Sequence, residues 1–134
     1  MSVHHSALIH TMVIMSAVDS DIADVELRRM TCIVQNWPVF SDYDVNDLPA
    51  AALDSAKMLE DENGLELLLK DVAQNLPAKL YETAYAVACD IAAADGVVTD
   101  EESQLLELIR HWLKIERLIA AGIERGARAR HTTL

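Results

Sequence analysis

Carboxylates recur at short spacing in two stretches of this 134-residue sequence: Asp19, Asp21, Asp24 and Glu26 in the first, and Asp95, Asp100, Glu101 and Glu102 in the second. Several such oxygens gathered in a short joint are the donor type that hard divalent cations such as Ca²⁺ or Mg²⁺ require. The same groups have a structural use, because an acid at the start of a helix meets free amides and the positive end of the helix dipole. The spacing is not that of an EF-hand. Glu102 follows Asp95 by seven positions, short of the EF-hand loop of about twelve residues, and Val97 stands where that loop would carry another carboxylate. Asp19, Asp21, Asp24, Glu26, Asp95, Asp100 and Glu102 are the candidate metal ligands, for Ca²⁺, Mg²⁺, Mn²⁺ or Zn²⁺. Whether they form one site or only cap helices depends on the two stretches meeting in space.

The elements that must position these carboxylates all read as helices. The apolar stripe Leu8, Met12 and Met15, widened by Ile9, Val13 and Ile14, predicts a first helix over about 7–18, covered on more than one side and therefore central. A second, over 24–36, carries Leu27, Met30, Ile33, Val34 and Trp37 and stops where Pro38 excludes the preceding residue from the α region. Residues 38–47 form a polar connection that Phe40 or Tyr43 tacks to the body. A third helix starts near Pro49 and runs to about Asp61, broken by Gly64, and a fourth covers 65–75; the two could equally be one bent element. The fifth, 78–94, has the stripe Leu80, Ala84, Val87, Ile91 and Ala94 and ends at Gly96. The sixth opens at Thr99-Asp100-Glu101-Glu102, which has the form of a capping box, and buries Leu105, Leu106, Leu108, Ile109, Trp112 and Leu113. A seventh, 116–128, uses Leu118, Ile119, Ile123 and Ala127. The reading is one all-α domain, a single compact bundle of about seven helices over residues 7–130, with loose ends at 1–6 and 131–134.

Composition supports this and limits function. Half of the chain is hydrophobic (51%) while aromatic residues are 4%, so Ala, Leu, Ile, Val and Met dominate and favour helix. The formal charge of −11 disfavours nucleic acid, whose binding depends on neutralising phosphates. That charge is uneven: residues 1–109 carry 5 basic and 20 acidic side chains, and residues 110–134 carry 6 basic and 2 acidic ones. The basic tail can pair with the body's own carboxylates or touch an anionic surface. Cys32 and Cys89 lack metal or redox spacing and read as small buried hydrophobes. With no leader pattern and no apolar run long enough to cross a bilayer, the expectation is a cytoplasmic protein.

Shifting the sequence by 76 positions places Ala17, Asp19, Asp24, Glu26 and Ile33 on Ala93, Asp95, Asp100, Glu102 and Ile109, which suggests a pseudo-repeated unit of helix, acidic joint and helix. The stretch Ala92-Ala93-Ala94-Asp95-Gly96-Val97-Val98-Thr99-Asp100-Glu101-Glu102, followed by Leu105, Leu106 and Ile109, resembles the TerB-like family of tellurite-resistance-associated helical domains. The flanking helices and the fainter first copy fit as well. The resemblance implies an all-helical fold, no catalytic activity, association with stress responses, divalent-metal and protein interaction, and work near a membrane-associated complex, peripheral to the inner membrane. The first copy departs from the motif at Ser20 and Ala23, which stand where the second has Gly96 and Thr99, so two equivalent metal sites are not implied.

The sequence offers little to an enzyme. It lacks a nucleophile elbow, a phosphate-cradling glycine loop, an HExxH pattern and paired CxxC motifs. The Glu-x-x-His pair of di-metal bundles is also missing. His10 and His111 read as boundary residues rather than general bases, and Asp90, inside an apolar run, faces solvent or pairs with a base on a neighbouring helix. The expected function is a non-enzymatic stress-response module that binds protein partners and a divalent cation at its acidic joints. Two alternatives use the same features: a metal-dependent hydrolase working through the same carboxylates, and a purely structural adaptor that docks through its basic final helix.

Overall fold

The computed structural model describes residues 2–16 and 22–134. Seven α-helices follow one another without a strand among the described residues: α1 Val3–Ser16, α2 Asp24–Asn36, α3 Leu48–Met58, α4 Gly64–Asn75, α5 Tyr81–Ala93, α6 Asp100–Trp112 and α7 Arg117–Arg130. The all-α bundle expected from composition and periodicity is therefore the fold.

Two helices form its centre. In α1, Ala7, Leu8, Ile9 and every residue from Thr11 to Ser16 are buried, a helix apolar around most of its circumference and so covered around most of it. Its two hydroxyls are compatible with that burial because each donates to the carbonyl one turn back, Thr11 to Ala7 and Ser16 to Met12, both at 2.9 Å. The helix starts four residues before the predicted boundary, and His5 is buried rather than part of a loose end. The second central helix, α5, packs against α1 on one side and α7 on the other. Ala84, Ala88 and Ala92 recur every fourth position and are all buried, so a neighbouring backbone can come close along that row. Around this pair, α3 and α4 cover α1, while α2 and α6 contact α5.

Local chemistry sets the breaks. Trp37 is extended (φ −85°, ψ 134°) before Pro38, which ends α2. Phe40 is buried and stacks on the His5 ring at 5.6 Å, while the Tyr43 ring meets both edge-on, so the 38–47 connection is tacked down by aromatic contacts. Helices α3 and α4 are separate elements. The chain turns so tightly between them that a Cβ on Gly64 would lie 2.1 Å from the Met58 carbonyl oxygen. Gly96 takes φ +86° after α5, as a helix-stopping glycine does. Lys114 performs the same task without being glycine: at φ 55° it closes α6, with Ile115 N–H donating to Arg110 O (3.1 Å) and Lys114 N–H to His111 O (3.2 Å).

Several predicted burials are corrected. Cys32 is exposed, because it lies beside rather than within the Met30, Ile33 and Val34 face of α2. Leu108 is 40% exposed, since α6 turns Leu106, Ile109 and Leu113 to the core. On α7 the inward residues are Ala120, Ile123 and Ala127, and Leu118, two residues before Ala120 and so on nearly the opposite side, is 88% exposed. Small side chains face α5 because that helix already fills the interface with Tyr85 and Cys89, both buried.

Candidate functional site

The second acidic joint is built by capping chemistry. The Thr99 hydroxyl accepts from Glu102 N–H at 3.1 Å, and the Glu102 carboxylate accepts from Thr99 N–H at 3.0 Å, closing the box read from the sequence. Asp95 accepts from Val97 N–H at 3.2 Å and fixes the turn around Gly96. Asp100 and Glu101 are exposed in the first turn of α6. At the start of α2 the carboxylate half of the same device is present, Glu26 accepting from Ala23 N–H at 3.0 Å, but alanine has no side-chain oxygen for the other half. Asp24 is exposed beside it. Asp19 and Asp21 lie outside the described residues.

Two clefts lie between α2 and α5, and a groove lies between α1 and α6. Trp37, just past α2, lines a cleft with Lys79 and Leu80, just before α5, and with Thr83 and Ala86 in its first half. Arg29, Cys32, Ile33, Asn36 and Trp37 line another with Asp90, Ile91 and Ala94 at the end of α5. Ile14, near the end of α1, shares a groove with Glu101, Gln104, Leu105 and Leu108 of α6. The end of α1 and the first turns of α6 thus sit together at one pole of the bundle. Among the described residues, no three His, Cys, Asp or Glu side chains converge as a cation cage. Asp95, Asp100 and Glu102 have the right oxygen chemistry, but two of the three already bind backbone amides.

Sequence reading missed a Ser–His–Asp constellation. The His10 ring sits 2.7 Å from Ser55 Oγ through Nδ1 and 3.3 Å from the Asp71 carboxylate through Nε2. The order of groups is that of a hydrolase triad, yet Ser55 is 1% exposed and also lies 3.1 Å from the Ala51 carbonyl, so no external acyl group reaches its oxygen. The trio ties α1, α3 and α4 together, with Ser55 buried and Asp71 partly exposed. Burial pushes the His10 pKa down, with Asp71 opposing. Only spatial proximity could have revealed it, because the three residues are dispersed over 61 positions of chain.

At the α5–α7 seam, Asp90 pairs with a basic residue as the sequence allowed: Arg130 donates to it at 2.7 Å, and His131 lies 3.6 Å away. The Tyr85 hydroxyl donates to Glu124 at 2.8 Å. Burial and that carboxylate raise the phenol's pKa, and burial pushes the Cys89 thiol up to about 12. These groups line a cleft of about 460 Å³ with Val98, Leu106, Arg125 and Arg128. The Tyr85 phenol and the Cys89 thiol are therefore held protonated at neutral pH.

No described helix is long and apolar enough to cross a membrane. A search of curated proteins and of solved structures gave no match. The family model described as tellurite resistance protein TerB matches residues 5–122, from the first turn of α1 into α7 and across both acidic joints, and the chain belongs to that family.

Proposed function

We propose that this chain is a non-enzymatic, cytoplasmic module of the tellurite-resistance response whose acidic pole binds protein partners, with a divalent cation as a candidate cofactor there. The observation that carries the reading is the family match over residues 5–122. The exposed carboxylates in the first turn of α6 support the choice of face. The candidate ligands for such a cation are Asp19, Asp21, Asp24, Glu26, Asp95, Asp100 and Glu102. It would neutralise carboxylates that otherwise repel one another and so stiffen the pole. Partners in a membrane-associated stress complex suit a chain that sits peripheral to the inner membrane.

Two measurements test the reading. Cells lacking the chain are plated on tellurite and complemented with the wild type or with an Asp95→Asn, Asp100→Asn variant. Tolerance restored by the wild type and reduced in the variant is the expected outcome; equal tolerance with and without the chain removes the tellurite role. Calorimetric titration of the purified protein with Ca²⁺, Mg²⁺, Mn²⁺ and Zn²⁺ tests the cofactor. Heats identical for wild type and variant remove the cation.

A further inference from the structure

The groove at the acidic pole has a composition that the capping chemistry does not explain. Its walls are Ile14 of α1, Leu59 and Leu65 on either side of the α3–α4 turn, and Leu105 and Leu108 of α6, enclosing about 400 Å³. On α6 the lining residues Glu101, Gln104, Leu105 and Leu108 stand at i, i+3, i+4 and i+7, one continuous helical face turned away from the Leu106, Ile109 and Leu113 core stripe. That face should be polar if it met only water. It carries two leucines instead, and Leu108 is 40% exposed.

Charge surrounds this apolar floor on both sides. The turn between Leu59 and Leu65 contains Glu60, Asp61 and Glu62, all exposed, and Glu66 follows; the sequence has no basic residue between Lys57 and Lys70. Across the groove, the first turn of α6 carries Asp100, Glu101 and Glu102, with no basic residue before Arg110. An apolar trough between two acidic banks is complementary to a helix with an aliphatic stripe flanked by Lys and Arg.

We infer that this groove docks a basic amphipathic helix of a partner protein. The inference rests on the protein-interaction reading above and names the partner's chemistry. A second copy of this chain is a poor occupant, since each copy carries a net charge of −11. The chain's own basic helix, α7, is held on α5 by the Arg130–Asp90 and Tyr85–Glu124 contacts. The aliphatic stripe supplies affinity by filling the trough, and the flanking bases supply orientation and salt-sensitive encounter.

The test uses the full chain and a fluorescent synthetic peptide of Leu and Lys, about five helical turns (~18 residues) long, with Leu at i, i+3, i+4 and i+7. Two control peptides accompany it: one of the same composition with the stripe scrambled, and one with Glu in place of Lys. Anisotropy titration should show binding of the amphipathic basic peptide only, weakened by added salt. Leu108→Asp, which removes an anchor while adding negative charge, should weaken it roughly tenfold, the scale expected for a buried aliphatic anchor. Glu62→Gln with Glu101→Gln, at exposed positions that leave the fold intact, should weaken it and flatten the salt dependence, whereas Leu118→Ser on α7 should not. Equal affinity for the scrambled peptide, or for wild type and Leu108→Asp, would show a merely acidic surface and overturn the inference. So would sedimentation of the wild type as a dimer that Leu108→Asp dissociates, which would make the groove a self-association face. The peptide assay involves no tellurite, so this inference and the family-level function fail independently.

Discussion

Arg130, the last residue of α7, donates to the buried Asp90 carboxylate in the last turn of α5 at 2.7 Å, with His131 3.6 Å from the same oxygen. The two residues are forty positions apart, and their contact ties the basic end of the chain to its acidic body. Arg130 is 53% exposed along its side chain, so water discounts the pair. Arg130→Ala should still cost about 1–2 kcal/mol, because the carboxylate it leaves behind is buried. Urea unfolding measures this, and an unchanged midpoint would mean that His131 and water suffice.

Burial lowers the His10 pKa below its ordinary value of 6.5, against the pull of Asp71. The folded state therefore favours the neutral ring, and below that pH the unfolded chain takes up more protons. This contribution is complete above about pH 6.5 and falls as pH drops through that value toward the lower folded pKa. Unfolding free energy measured from pH 7.5 down to 5.5 should decline, and His10→Gln should show a shallower decline. An unchanged pH slope in that variant would remove His10 as the source.

Backbone handedness gives a second set of outcomes. Gly64→Ala places a Cβ 2.1 Å from the Met58 carbonyl oxygen and should destabilise by about 2–4 kcal/mol. Gly96→Ala meets open space but keeps φ +86°, so about 1 kcal/mol is expected. Lys114→Gly should run the other way, stabilising by about 0.5–1 kcal/mol at φ 55°. Thermal denaturation of the three variants orders them, and a Gly64→Ala protein as stable as wild type would contradict the tight α3–α4 turn.

The starts of α2 and α6 differ by one hydroxyl. Thr99→Ala removes the acceptor for Glu102 N–H and should cost about 1 kcal/mol. Ala23→Ser should add the missing acceptor at an N-cap that is already extended (φ −67°, ψ 155°) and gain about 0.5–1 kcal/mol. Chemical denaturation of both variants checks the pair, and no gain from Ala23→Ser would show that its geometry is wrong for a cap.

The thiols should differ in reactivity. Cys32 is exposed on α2, while Cys89 is buried and its pKa is raised to about 12. An aromatic disulfide reagent at pH 8 should titrate one thiol of the native protein quickly and the second only on unfolding. Cys32→Ser should abolish the fast phase; a fast phase surviving in that variant would place Cys89 within reach of solvent.

Local information settled much of this protein in advance. Apolar residues at helical spacing placed the helices, Pro38 and Gly96 ended two of them, and Thr99 with Glu102 formed the box that begins another, because each depends on residues only a few positions apart. The motif between Ala92 and Glu102 likewise pointed to the family that the match across residues 5–122 bears out. The first helix was placed late because its opening turn owes its burial to partners far along the chain, with His5 held by the Val39 carbonyl and the Phe40 ring. The outward Leu108 and Leu118 were misassigned because an amphipathic pattern gives a stripe but not its edges, and where a stripe ends is set by how close the neighbouring helix comes. The meeting of α1 with the first turns of α6 and the His10–Ser55–Asp71 tie were decided by tertiary packing alone. Contacts across tens of residues leave no periodic trace in a sequence, since nothing local constrains which helix end a distant helix will meet.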